Sequence, residues 1–135
     1  AVRAAWRRPD RPDARHAVTV RIEPLLRQHL VEWDSQRGNG PTILRGIAGF
    51  VDDELVAVAG LVSSGGLIVA FCNLKDAARP HKTLIHWSAI KLMREAKKRH
   101  KRIMAHCDPD EPGAARWLQR LGFKNEEGDI WAWQA

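Results

Sequence analysis

Ala114-Ala115-Arg116-Trp117-Leu118-Gln119-Arg120-Leu121-Gly122-Phe123 reads as one short helix and its stop. Good helix formers fill most of its positions. Gly122 is the natural residue just past the last turn, where the chain goes left-handed, and Phe123 resumes extended structure. Just upstream, Asp108-Pro109-Asp110-Glu111-Pro112 ends one element and sets acids near the start of the next, where they complement the helix dipole.

Working outward, Lys101–Cys107 alternates Ile103, Ala105 and Cys107 against Met104 and His106, a strand pattern. Before it, the segment His81–Arg99 carries Ile85, Ala89, Leu92, Met93 and Ala96 on one face and is the longest helix expected. Leu67-Ile68-Val69-Ala70-Phe71-Cys72 is a nearly continuous apolar run, which predicts a central strand covered on both faces. Two further strands, Gly46 to Val51 and Leu55 to Val62, are joined across Asp52-Asp53-Glu54, with Ser63-Ser64-Gly65-Gly66 as the next turn. Gly38-Asn39-Gly40-Pro41 is a breaker loop. Toward the N-terminus, Pro24 opens a helix running to about Trp33, and residues 17–22 alternate as a strand. Phe123 to Trp133 supplies a last strand or pair of strands. The expected order is β-α-β-β-β-α-β-α-β: a mixed α/β domain over residues 17–135, with a central mixed sheet flanked by helices.

The whole chain has 135 residues, 44% hydrophobic and 28% charged, which fits one soluble domain able to bury its own core. Two cysteines, Cys72 and Cys107, are too few for a secreted disulfide scaffold and suit a reducing, cytoplasmic compartment. No apolar run is long enough to span a bilayer, so no membrane partner is expected. Six tryptophans and no tyrosine leave the chain without a phenol of its own.

The net charge of +6 is local. Residues 1–16, rich in Arg and Pro, predict a basic, flexible arm with Trp6 as its one large anchor. The run Lys97-Lys98-Arg99-His100-Lys101-Arg102 closes the long helix. Its cations complement the helix C-terminus, or else contact phosphate. Arm and run together are the candidate surface for a nucleic acid or a protein partner.

The element order, with the Ala114–Phe123 ending, resembles the GNAT superfamily of acyl-CoA-dependent N-acyltransferases over about residues 17–134. In length and compressed C-terminus it is most like the short GNAT-like proteins of tailed bacteriophages, which would place it in a host cytoplasm. The resemblance implies transfer of an acetyl or other acyl group from acyl-CoA to an amine acceptor. It also implies a phosphate-binding loop opening the long helix, at Arg79-Pro80-His81-Lys82-Thr83-Leu84. Both of the family's glycine positions there are filled, by Lys82 and Leu84. Arg79, His81, Lys82 and Thr83 therefore either hold a phosphate by side-chain charge or merely cap the helix.

The resemblance further puts a tyrosine acid four residues before Gly122, where Leu118 stands, and an asparagine at Glu111. It places the thioester where the 67–74 and 101–107 strands part, with backbone N–H groups near Cys72, Asn73 and Leu74 serving its carbonyl. The nearby candidate bases are His106, Asp108 and, on the hairpin, Glu54. His106 is preferred because its ordinary pKa of about 6.5 suits neutral pH. Cys72 and Cys107 are either nucleophiles near the thioester or small buried hydrophobes. His81, His86, His106, Cys107 and Asp108 show no recognisable metal-ligand spacing. Trp87, Trp117, Trp131 and Trp133 are expected in the core, with Trp131 or Trp133 also available to line an acceptor cleft. The alternative function is a catalytically silent GNAT-like accessory protein.

Overall fold

In the computed structural model, residues 2–6, 18–33 and 42–135 are described. Their elements run β1 (Val2–Trp6), β2 (Val18–Pro24), α1 (Arg27–Trp33), β3 (Thr42–Val51), β4 (Glu54–Ser64) and β5 (Leu67–Leu74). A 3-10 turn, Asp76–His81, then leads into α2 (Lys82–Arg99), followed by β6 (Arg102–His106), α3 (Ala114–Arg120), β7 (Lys124–Glu127) and β8 (Ile130–Gln134). The strands form one mixed sheet in the order β1-β2-β3-β4-β5-β6-β8-β7. Every neighbouring pair is antiparallel except β5 and β6.

Local chemistry accounts for the turns. Asp52 and Asp53 both take positive φ in the β3–β4 hairpin, a conformation aspartate tolerates. At the end of α3, Gly122 (φ 93) gives its N–H to the Gln119 carbonyl, and Phe123 gives its own to Leu118. That is the paired-bond ending the sequence calls for. It drops Phe123, 2% exposed, into the core.

Helices cover both faces of the sheet. On one face, Met93 and Ala96 of α2, Leu118 of α3 and Leu121 just past its end pack over Leu61, Ile103, Ala105 and Trp131. On the other, Leu25 and Leu30 pack on Ala48, Phe50, Leu55 and Val58, with Trp33 and Phe71 alongside.

Four expectations are revised. The helix placed from Pro24 begins at Arg27: Pro24 stays in the sheet opposite Ile47, and the buried His29 imidazole accepts the Leu26 N–H at 2.9 Å, fixing the later start. β3 begins at Thr42, with Gly46 inside it. A Cβ on Gly46 would lie 2.6 Å from the Ala59 carbonyl oxygen and 2.7 Å from Leu25 Cδ2, so the glycine lets the neighbouring strand and the Leu25 side chain approach closely. Within the expected basic arm of residues 1–16, Val2–Trp6 is an edge strand paired to β2, because long-range pairing supplies what local composition does not. Ala1 and residues 7–16 of that arm lie outside the described residues, as does the 38–41 loop. Finally, β5 is interior in strand order yet only half-buried from Ile68 to Leu74, because β6 leaves it. The most buried strand is β4, where Val56 is 1% and Val58 0% exposed.

Candidate active site

The gap beside β5 follows from three hydrogen-bonding facts. β5 and β6 pair only at Val69–Met104 and Ala70–Ala105. Beyond that point β5 stays with β4, through Lys75 N–H to the Val56 carbonyl at 2.8 Å. β6 stays with β8, through Cys107 N–H to the Asp129 carbonyl at 2.8 Å. Two parallel strands therefore part inside the sheet, and a cleft of about 1290 Å³ opens between them.

The cleft passes through the sheet. On the α2–α3 side it is lined by Lys82, Thr83, His86, Glu111, Trp117 and Leu118, and on the α1 side by Trp33, Phe71, Asn73 and His106. Cys72, Leu74, Cys107 and Asp108 complete the part of interest. Of the ten candidate catalytic and cofactor-binding residues, seven are thus brought together: Cys72, Asn73, Leu74, Lys82, Thr83, His106 and Asp108. Arg79 and His81 lie outside the lining, and Glu54 sits exposed at the β3–β4 hairpin, away from it.

Alternation along the antiparallel β4–β5 pair fixes which backbone groups face the gap. Lys75 donates to β4, so Asn73, two residues earlier, does the same, while the N–H groups of Cys72 and Leu74 turn toward the gap. Asn73 can reach the cleft through its side chain.

Arg79 is already engaged. Its guanidinium gives two parallel bonds to Glu111, at 2.8 and 3.1 Å, and a third to Asp76 at 3.0 Å. Glu111, where the resemblance implies an asparagine, thus binds the cation rather than facing a phosphate. The hydrogen bond from Arg79 holds the Glu111 carboxyl below its ordinary value, and Glu111 in turn raises the guanidinium. The start of α2 is partly occupied as well, since the Lys82 N–H bonds the Arg79 carbonyl. Lys82 and Thr83 remain exposed at the cleft edge.

A second bridge crosses the same side. Trp117 Nε1–H donates to His86 Nδ1 at 2.5 Å, tying α3 to α2. An indole nitrogen can only donate, so the neutral His86 ring carries its proton on Nε2 and offers a donor there. The sequence reading missed this pair: the partners are 31 residues apart, and no local pattern marks them.

His106 projects to the α1 side, its side chain 64% exposed, with Nε2 3.9 Å from Asp129 Oδ2. Asp108 is exposed, and its Oδ1 accepts the Asp110 N–H at 2.9 Å, an ordinary turn contact. Burial pushes the Cys72 thiol up to about 12, with Glu111 adding to the shift, and burial also raises Cys107. Neither is an activated nucleophile. Among the described residues no cluster of three or more His, Cys, Asp or Glu side chains could hold a metal ion. No helix of the described residues is long and apolar enough to cross a membrane.

The tryptophans divide. Trp131 is buried and Trp133 half-buried, but neither lines the cleft, because both point under the α2–α3 layer. Trp87 is 61% exposed, not in the core, because its position on α2 faces away from the sheet. The 97–102 run is also less free than its composition suggests. Lys97 Nζ donates to the Leu121 carbonyl at 2.7 Å and sits over the Trp133 ring, and Arg102 is paired with Glu126.

No family model and no curated protein matches the sequence. Solved structures do. The ribosomal-protein-S18-alanine N-acetyltransferase of Escherichia coli superposes with a TM-score of 0.61 at 14% identity, over 85% of this chain and 93% of its own. YhhK of E. coli, described as an N-acetyl transferase and solved bound to coenzyme A, gives 0.51 at 16%, over 86% and 98%. A protein of Sphaerobacter thermophilus described as an acetyltransferase gives 0.50 at 13%, over 87% and 94%. At such identities the likeness is one of fold: this chain shares the architecture of these three structures.

Proposed function

We propose that this chain is an N-acyltransferase that moves an acetyl or other acyl group from acyl-CoA to an amine. The observation that carries the reading is the cleft where β5 and β6 part, which brings residues from both faces of the sheet to one point. The coenzyme A held by one structural neighbour, YhhK, supports the choice of donor.

Bound acyl-CoA would supply a thioester carbonyl, and the residues present fit it in part. Lys82 and Thr83, exposed at the cleft edge, would receive its phosphates, and the His86 Nε2–H would be a donor for a polar group along the slot. Without a glycine loop, this cradle relies on side chains. The Cys72 and Leu74 N–H groups stabilise charge on the carbonyl oxygen. On the α1 side, His106 takes the proton the attacking amine gives up, with the Asp129 carboxylate 3.9 Å from its Nε2. The N–C bond forms as the C–S bond breaks. The departing sulfur takes up one proton for the one the amine lost, so the reaction is proton-neutral. Leu118 cannot donate that proton, so it returns from His106 or through water.

The test is a titration of acetyl-CoA against intrinsic fluorescence, since Trp33 and Trp117 line the cleft. Saturable quenching that weakens about tenfold in Lys82→Ala supports the reading, and mass spectrometry of an amine panel then reads transfer. No response up to millimolar acetyl-CoA overturns it. One observation favours a second reading, a catalytically silent accessory protein: Arg79 is bound by two carboxylates of the chain itself. That reading expects the null titration.

A further inference from the structure

The outer face of α2 carries Thr83, Trp87, Lys91, Arg94 and Lys98, all exposed. At about 100° per residue these five fall within a wedge of about 80°. The wedge lies opposite the buried Ile85, Ala89, Met93 and Ala96. Along the axis the five cover about 22 Å. No acidic side chain falls within the wedge. The nearest, Glu95, lies about 40° outside it and pairs with Lys98 at 3.8 Å. In the middle of this cationic row stands Trp87, 61% exposed.

A helix facing water has no need of a bare indole. Exposing most of a tryptophan forgoes the stabilisation that its burial would give. Basic residues alone are explained by solubility and by the helix dipole, but neither explains the indole. We propose that this face of α2 binds single-stranded nucleic acid, with Lys91, Arg94 and Lys98 on phosphates and a base stacked on Trp87.

Chemistry selects this occupant. A row of cations fits a polyanion, and an aromatic plane in line with them fits unpaired bases, which every sequence can offer. Duplex DNA presents phosphates but no free base face. An acidic protein segment would pair with the cations and leave the indole unused. A membrane surface would call for an apolar stripe rather than one aromatic among charges. The site shares only Lys98 with the 97–102 run, whose Lys97 and Arg102 are held by Leu121 and Glu126. It does not depend on the acyltransferase reading.

The test uses the full chain and a fluorescein-labelled 20-residue oligo(dT), read by anisotropy at 50 and 200 mM KCl. Three phosphate contacts at about 0.7 each predict a log–log salt slope near −2, an affinity loss of roughly 15- to 20-fold between the two salts. Trp87→Ala weakens binding at least about fivefold, and Trp87→Phe restores most of it. The triple change Lys91→Gln, Arg94→Gln, Lys98→Gln flattens the slope toward zero, with circular dichroism checking that each variant is folded. No binding at 50 mM KCl overturns the proposal. So does binding whose slope survives the triple change, which would put the contacts elsewhere in the chain. Equal affinity for duplex DNA or polyglutamate, with Trp87→Ala neutral, overturns it too, as does binding to phosphatidylserine vesicles but not to the oligonucleotide.

Discussion

Cys72 lines the gap beside the proposed reaction point, and its chemistry distinguishes two acyl-transfer routes. A covalent route needs its thiolate; direct attack by the amine does not. With the thiol pushed up to about 12, only about one molecule in 10⁴ is ionised at pH 8, against roughly a quarter for a free cysteine near 8.5. That deficit is about 2,400-fold. A more basic thiolate is also a better nucleophile, and a Brønsted coefficient of about 0.4–0.5 over about 3.5 units returns roughly 25- to 55-fold. The net expectation is that Cys72 reacts about 40- to 100-fold more slowly than a free thiol. The assay is exchange with methyl methanethiosulfonate in a Cys107→Ser background, followed by mass spectrometry from pH 8 to pH 11. Obstruction in the half-buried cleft lowers the whole curve without bending it. Log rate should therefore rise with unit slope throughout, with no plateau. A plateau below pH 10, or a rate at pH 8 within threefold of free cysteine, would refute both the desolvation argument and the direct-attack route built on it.

Two further outcomes test the packing and the ion pair. Gly60→Ala puts a methyl group 2.4 Å from the Arg45 carbonyl oxygen and 2.7 Å from Gly46 Cα. Backbone on both sides cannot yield cheaply, so a loss of about 2 kcal/mol or more, about 8 °C in melting temperature, is expected by calorimetry. Glu111→Gln removes the bidentate partner of Arg79 and should tighten acetyl-CoA binding about three- to tenfold, read by the same fluorescence titration. The pH dependence has a definite sign. The folded Glu111 carboxyl lies below its ordinary value, so its contribution to stability is present above that value and fades as pH falls through the folded one. The melting difference between wild type and Glu111→Gln should hold steady at neutral pH, persist below pH 4.5 and vanish only at stronger acid.

What could be read from the sequence was whatever a few adjacent residues decide. Gly122-Phe123 ends α3 with the bonds its chemistry demands, and Asp52-Asp53 makes the hairpin in place. The long helix follows from the spacing of Ile85, Ala89, Met93 and Ala96. Features that depend on partners far along the chain were hidden. Val2–Trp6 becomes a strand only because β2 is there to receive it. The half-exposure of β5 reflects β6 leaving it, which no property of Leu67–Cys72 announces. Arg79 and Glu111 were both singled out in the sequence, one as a phosphate ligand or helix cap and the other as standing where the resemblance implies an asparagine. Their 32-residue separation concealed that each neutralises the other. The exposed face of α2 was misjudged for a simpler reason: tryptophan is apolar enough to be assigned to the core wherever helical spacing permits.

Two side-chain bridges therefore govern the α2–α3 side of the cleft: Arg79 to Glu111 at its edge, and His86 to Trp117 along its wall. A backbone cradle built on glycines presents its N–H groups whatever its neighbours do. A cradle built on side chains must give up contacts it already holds, and here the strongest cation holds two carboxylates. On the proposed reading, a phosphate reaching past Lys82 and Thr83 to Arg79 would compete with Glu111 for the same guanidinium edge, and would leave that carboxylate half-exposed and unpaired. The filled glycine positions and the ion pair thus act in the same direction, toward weaker anion binding. They differ in what reverses them: restoring glycine at 82 or 84 alters the backbone, whereas Glu111→Gln alters only the competition. If the single neutral substitution recovers most of the lost affinity, the cleft is a working cofactor site held back by one carboxylate. If it recovers none, the missing backbone donors are the dominant defect, and the silent accessory reading gains the ground.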